Sequence, residues 1–133
     1  MNPETPRPDG EHVTIRVPAA GVYIATVRLA TASLAARCDL TVDDIEDLRL
    51  AVDEACSLLL PHAAADGSLD ADFELAQGQL TVTVGVVSTD GSDIDRGGFA
   101  WTVLGALASS LAVSHADGRL GITVTRRREA AVQ

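Results

Sequence analysis

The chain has 133 residues, with 47% apolar and 22% charged side chains. That composition excludes wholesale disorder, and the length suits one domain. Nineteen acids oppose ten bases, all of them arginine, for a formal charge of −9; so acidic a chain is a poor binder of nucleic acid or of an anionic membrane surface, and a basic protein partner suits it better.

Residues 1–11 hold three prolines and a glycine without apolar periodicity and are expected to form a flexible leader. They lack the basic start and apolar stretch of a secretory signal, and no apolar run reaches the roughly 18 residues of a membrane span, so a cytoplasmic protein is expected. Val13, Ile15 and Val17 alternate with Thr14 and Arg16, which predicts a first strand ended by Pro18 and a candidate exposed edge able to pair with a second copy. Residues 20–37 read as a helix with Tyr23, Val27, Ala30 and Leu34 on its apolar stripe. The next helix, 41–60, has Thr41 as N-cap, Asp44 at the capping-box position, and Ile45, Leu48, Val52, Ala55 and Leu59 facing the core.

Leu69, Ala71, Phe73 and Leu75 alternate with acids, then Leu80, Val82, Val84 and Val86 alternate with polar or small residues, across a Gln77-Gly78 turn. This pattern predicts an antiparallel hairpin with one wet face. Residues 88–98, with three glycines and three aspartates, form a loop long enough to suggest function. A third helix is expected over Phe99–Leu111, on a stripe of Val103, Leu104, Leu107 and Leu111. A short segment at 112–115, an Asp117-Gly118 turn and a last strand at 120–125 complete the order β-α-α-β-β-α-(β)-β. The run Arg126-Arg127-Arg128 reads as a solvated strand end, and 127–133 as a flexible tail after a domain at 12–126. Consecutive antiparallel strands and one-faced helices define an α+β two-layer sandwich. Cys38 and Cys56 form no metal or CxxC spacing and read as two reduced thiols. The scattered His12, His62 and His115 suggest no metal site.

Two segments carry more than fold: Asp47-Leu48-Arg49-Leu50-Ala51-Val52-Asp53-Glu54-Ala55-Cys56-Ser57-Leu58, and Gly97-Gly98-Phe99-Ala100-Trp101-Thr102-Val103-Leu104, the latter preceded by Asp90-Gly91. With the run Gly121 to Arg127, they make the chain resemble the RsbW-like anti-sigma regulatory factors of the GHKL (Bergerat) ATP-binding fold, in their actinobacterial branch, from about Val13 to Arg126. The resemblance implies a mostly antiparallel sheet covered on one face by three helices. It also implies an N-box, Glu-x-x-x-Asn, whose glutamate is the base and whose asparagine ligates magnesium; here Glu54 holds the base position and Leu58 the asparagine position. An alkyl side chain offers a hard cation no lone pair.

The family's glycine boxes are reduced as well. Asp90 and Gly91 are what remains of the adenine-binding box, and Gly97 and Gly98 of the phosphate-binding box, where Ala100 and Val103 replace a glycine and a leucine. The resemblance therefore implies an anti-sigma factor that sequesters an alternative sigma factor, with a weakened ATP site and doubtful magnesium binding. It further implies a homodimer released by an anti-anti-sigma protein of the STAS fold. The alternative is an active serine/threonine kinase that phosphorylates that antagonist. A third reading is a generic α/β interaction domain. Trp101 is expected in the core or at an interface, and Leu50 and Leu58 as pocket-lining or extra core side chains.

Overall fold

Alternation builds the sheet. In the computed structural model, which describes residues 10–88 and 90–129, Leu69, Ala71, Phe73 and Leu75 point inward from β2 (Ser68–Ala76), and Leu80, Val82, Val84 and Val86 from β3 (Gln79–Val87). The two strands pair antiparallel from Leu69–Val86 to Ala76–Gln79. Gly78 turns the chain at a φ of 74°, a torsion open to a residue without Cβ. β1 (Glu11–Pro18) lies outside β2, and β5 (Arg119–Arg127) beside β3, followed by β4 (Ser110–Ala116). The order β1-β2-β3-β5-β4 is antiparallel throughout, so β1 is an edge strand, as its sequence suggests. Paired structure begins at Glu11 and ends at Arg127, one residue outside each expected domain limit; most of the expected leader and tail lies outside the described residues.

Helices α1 (Ile24–Arg37), α2 (Val42–Leu59) and α3 (Phe99–Leu107) cover the inner face. The capping box of α2 forms as expected: the Asp44 amide donates to Thr41 Oγ1 at 3.1 Å, and the Thr41 amide to Asp44 Oδ2 at 3.1 Å. Such a cap contributes about 1 kcal/mol. Leu48, Val52, Ala55 and Leu59 are buried, and Ile45 packs against them. No helix of the described residues is long and apolar enough to cross a membrane.

Three expectations are corrected. Tyr23 is 39% exposed, and the buried line of α1 is Val27, Thr31 and Ala35. Tyr23 sits in a 3-10 turn before the helix proper, so the helical stripe does not extend back to it. The third helix ends at Leu107, not Leu111, because Ala108 is extended and the Ser109 amide turns to the Thr125 carbonyl at 2.8 Å. Leu111 is apolar because it lies on β4 opposite Val124. Arg126 is not solvated: it is 7% exposed, and its guanidinium reaches two helices. Nε donates to Asp44 Oδ1 at 3.0 Å, Nη1 to the Leu107 carbonyl at 2.8 Å, and Nη2 lies 3.2 Å from Asp47 Oδ2. Arg128 also pairs, with Asp39 at 2.7 Å.

On the outer face Asp70, nearly buried, accepts from Arg16 Nε at 2.7 Å and Arg119 Nη2 at 2.7 Å. Gly85 makes room for this: a Cβ there would meet the Arg119 guanidinium at 3.2 Å.

Burial pushes the Asp44 carboxyl up, but the Thr41 hydroxyl and amide and the Arg126 guanidinium outweigh it and hold the group below the usual carboxylate range. At Asp70 burial is likewise outweighed, by Arg16 and Arg119. Both folded values lie below the unfolded one. The stability they contribute is therefore complete above about pH 4 and lost as pH falls through the folded values. Arg126→Ala leaves Asp44 buried and unpaired, and is expected to cost about 3–5 kcal/mol, read by urea unfolding at neutral pH; the variant's stability should also fall less steeply below about pH 4 than that of the parent.

Cys38 and Cys56 are fully buried. Burial, then the nearby Asp53 charge, pushes the Cys56 thiol up to about 12, and burial raises Cys38. Thiols so held stay protonated and inert. Iodoacetamide is expected to label neither in the folded protein at mildly alkaline pH and both in urea, as read by intact mass.

Candidate functional site

Helix α2 presents Glu54 and Leu58 one turn apart, as the periodicity requires. Glu54 is half-buried and, among the described residues, has no hydrogen-bond or ion-pair partner. Asp53 beside it is engaged, with Arg28 Nη1 donating at 2.9 Å from α1. Leu58 is half-buried and packs on the hydrophobic core, whereas Leu50 is 54% exposed and fills no pocket. The pair on α2 is thus a carboxylate and, one turn on, a hydrocarbon.

The other sequence-predicted residues lie in the segment between β3 and α3, and its acids turn inward on the chain. Asp90 Oδ1 accepts from the Ser92 amide at 3.0 Å and the Ser92 hydroxyl at 2.7 Å. Those bonds, with a longer one from the Ser88 hydroxyl, hold the Asp90 carboxyl below its ordinary range. Gly91 bends the segment at a φ of 68°. Asp95 Oδ1 accepts from the Gly97 amide at 3.0 Å, and Gly98 is the N-cap of α3. A Cβ at Gly98 would lie 3.0 Å from Asp95 Oδ2, so the carboxylate sits against the start of the helix. A negative charge is stabilised there by the helix dipole. Asp90 and Gly91 are therefore at one end of the segment and Gly97 and Gly98 at the other, each end bonded locally.

Sequence reasoning missed the residues that hold this segment. Ile94 is 4% exposed and buried in the core. Asp93 Oδ1 accepts from the Ile94 amide at 2.7 Å and faces His115 Nε2 on β4 at 3.0 Å, while Asp93 Oδ2 accepts from Arg96 Nη1 at 2.8 Å. Arg96 first, then His115 and the Ile94 amide, bring the Asp93 carboxyl down to about 2. His62, in the 3-10 turn after α2, has Nδ1 2.6 Å from Ser92 Oγ. The only sequence signal was an aspartate at nearly every second or third position of the loop; the histidine partners lie 30 and 22 residues away. Trp101 is half-buried on the core with the Arg96 guanidinium 5.9 Å from its ring centre, so it serves the core and the segment together.

Two clefts lie near the β4–β5 turn. One, of about 190 Å³, is floored by Gly85 and Gly121 and walled by Asp72, Thr83, Ser114 and Arg119. The other, of about 290 Å³, is lined by Ser88, Gly91, His115, Asp117, Gly118 and Arg119. Neither is lined by Glu54, Leu58, Gly97 or Gly98. Among the described residues no group of three or more His, Cys, Asp or Glu side chains is placed to hold a metal ion.

Residues 17–126 match the family described as the histidine kinase-like ATPase domain. The chain is 32% identical over 126 residues to the anti-sigma-F factor RsbW of Mycobacterium tuberculosis, covering 89% of this chain and 74% of that protein. It is 34% identical over 88 residues to the serine-protein kinase RsbW of Bacillus velezensis, covering 64% of this chain but 53% of the kinase, about half its length. The crystal structure of the RsbU and RsbW domains of Rv1364c from Mycobacterium tuberculosis superposes with a TM-score of 0.63 at 24% identity, over 88% of this chain and 32% of that one, a likeness of fold. With its sheet and its three helices in this arrangement, the chain belongs to the RsbW-like anti-sigma factors of the histidine kinase-like ATPase family.

Proposed function

We propose that this protein is an anti-sigma factor that acts by binding: it sequesters an alternative sigma factor and keeps it from RNA polymerase, in the cytoplasm, as a homodimer released by a STAS-domain antagonist. One observation carries the binding mode. Leu58, packed on the core, stands four residues after Glu54, where a magnesium ligand is required. Two further features agree with it: Asp90 Oδ1 is taken by the Ser92 amide and hydroxyl, and Asp95 occupies the start of α3. These groups do not fit a magnesium–nucleotide complex as they stand, and no phosphoryl-transfer step is derived through one. The charge of −9 suits a partner whose helices are rich in arginine and lysine, by speeding and selecting encounters.

The second reading, an active kinase that phosphorylates the antagonist, is favoured by one feature, the unpartnered carboxylate of Glu54. Calorimetry with ATP, with and without magnesium, separates the two. The binding reading expects no magnesium-dependent affinity and no transfer of labelled phosphate; tight magnesium-dependent binding would overturn it. Leu58→Asn alone should not restore transfer, because both glycine boxes are altered, and labelling of a STAS-domain substrate by that variant would refute this.

Asp43 and Glu46 are exposed on α2, whereas Asp44 is buried against Arg126. Charge reversal at Asp43 and Glu46 together is expected to slow association with the sigma factor about tenfold at low salt and much less at high salt. Stopped-flow mixing checks this, and an unchanged rate removes that face. Asp44 is left out of the pair because its reversal would act through folding.

A further inference from the structure

Two glycines stand side by side within the sheet. Gly85 on β3 and Gly121 on β5 are directly paired, each in a strand flanked on both sides. A glycine inside a strand weakens it and marks a place where something comes close to the backbone. The Arg119 guanidinium accounts for Gly85, but not for Gly121. Over the pair lies the cleft of about 190 Å³, on the sheet face away from the helices. A Cβ at Gly121 would lie 2.8 Å from Ser114 Oγ and 3.4 Å from the Val84 carbonyl oxygen, so the Ser114 hydroxyl leans over this floor.

Opposite charges stand at the two sides of the floor. Asp70 carries one negative charge and accepts from both Arg16 and Arg119, so the trio has one positive charge in excess. Arg119 gives Asp70 its Nη2 and keeps other N–H donors in hand. Asp72 is the next outward position on β2. It accepts from the Thr14 hydroxyl at 2.8 Å and, among the described residues, has no cationic partner. Between these ends Ser114 Oγ has no hydrogen-bond partner among the described residues, and Thr83 Oγ1 shares a hydrogen bond with Thr123 Oγ1 at 3.0 Å.

We propose that this cleft binds a small zwitterion of the α-amino acid class, with its carboxylate on Arg119 and its ammonium on Asp72. A lone anion would satisfy the guanidinium and face the Asp72 carboxylate; a lone cation would do the reverse. A zwitterion answers both ends. The guanidinium sits at Asp70, and successive outward positions on a strand are about 7 Å apart. An α-amino acid carries both charged groups on one carbon, and with a hydrogen bond of about 2.9 Å at each end it spans that gap. The volume lies below the roughly 300 Å³ at which drug-sized pockets begin, which limits the ligand to a small side chain. Asp117 also lines the cleft, from the β4–β5 turn beyond Arg119, and so lies on the far side of Arg119 from Asp72. Neither the binding nor the kinase reading uses this face, so the inference stands apart from both.

NMR titration of the isotope-labelled full chain tests the proposal. L-Alanine at constant ionic strength should move the amide signals of Gly85 and Gly121 along saturating curves, with a dissociation constant of about 1–30 mM, the scale of a few exposed charged contacts. The amide of Ala55 on α2 should stay in place. Acetate lacks the ammonium and methylammonium lacks the carboxylate, and each should bind about fivefold more weakly or worse. L-Tryptophan should not bind. Asp72→Asn should weaken L-alanine about fivefold, the upper range for an exposed pair, and bring it level with acetate. Asp117→Asn should leave the affinity unchanged. Ser114→Val puts bulk over the floor without altering a charge and should abolish binding. Asp72 and Ser114 are both exposed, and circular dichroism checks that each variant is folded. Signals that do not saturate, acetate that binds as tightly as L-alanine, or an Asp72→Asn variant with the parent's affinity overturns the proposal.

Discussion

One guanidinium ties three elements together. Arg126 reaches from the end of β5 to Asp44 in the first turn of α2 and to the Leu107 carbonyl at the end of α3. Asp44 serves twice, since one oxygen closes the capping box and the other takes Arg126. A pair of this kind gains little net stability over a well-packed apolar substitute, but removal of one partner strands the other in the core. Its effect is on alignment. It fixes the rotation of α2, and hence the direction of Glu54 and Leu58, in register with the helix that begins at Gly98. The third strong acceptor, Asp47, lies one turn along the same helix, so the contact resists both rotation and sliding.

Between the fixed ends of β3 and α3, the loop has satisfied its own charges. Asp90, Asp93 and Asp95 each accept backbone amides, and Asp93 adds the Arg96 guanidinium and the His115 ring as partners. Hydrogen bonds to charged groups contribute less when exposed, as here, than when sheltered. A ligand that needed this loop open would have to offset several such bonds and the burial of Ile94 together. A magnesium-bridged triphosphate could do so in a site with its metal ligand in place, because the metal neutralises charge where the phosphates crowd. On the binding reading proposed above, Leu58 withholds that contribution, and the closed loop acts in the same direction.

Period-two alternation made the hairpin, the edge strand and the last strand legible, because each has one buried face. The cap of α2 was legible because it is local, four residues from Thr41 to Asp44. The end of α3 was not: Leu104, Leu107 and Leu111 satisfy a helical spacing, and Leu111 with Val113 satisfies a strand spacing equally well. Only the Ser109–Thr125 bond decides between them. Arg126 was misread because its partner Asp44 is 82 residues away, and three arginines in a row look alike until one is buried. In the candidate site, Glu54, Leu58 and the glycines are singled out by a family resemblance alone. The histidine fastenings were invisible, because nothing local in a sequence brings His62 or His115 to an aspartate-rich loop.

The persistence of Glu54 does not require a reaction. A half-exposed carboxylate on the wet side of a helix keeps most of its hydration, so nothing in the folding free energy selects against it. Leu58 is different. It packs on the core, and an asparagine there would leave the hydrophobic layer with a smaller, polar side chain that is only partly reached by water. The two positions are therefore under unequal physical constraint: the Glu54 carboxylate costs the fold nothing, while the Leu58 side chain is held by packing. On the binding reading proposed above, the surface and rigidity that capture of a partner needs do not depend on either position, so turnover and fold are separable.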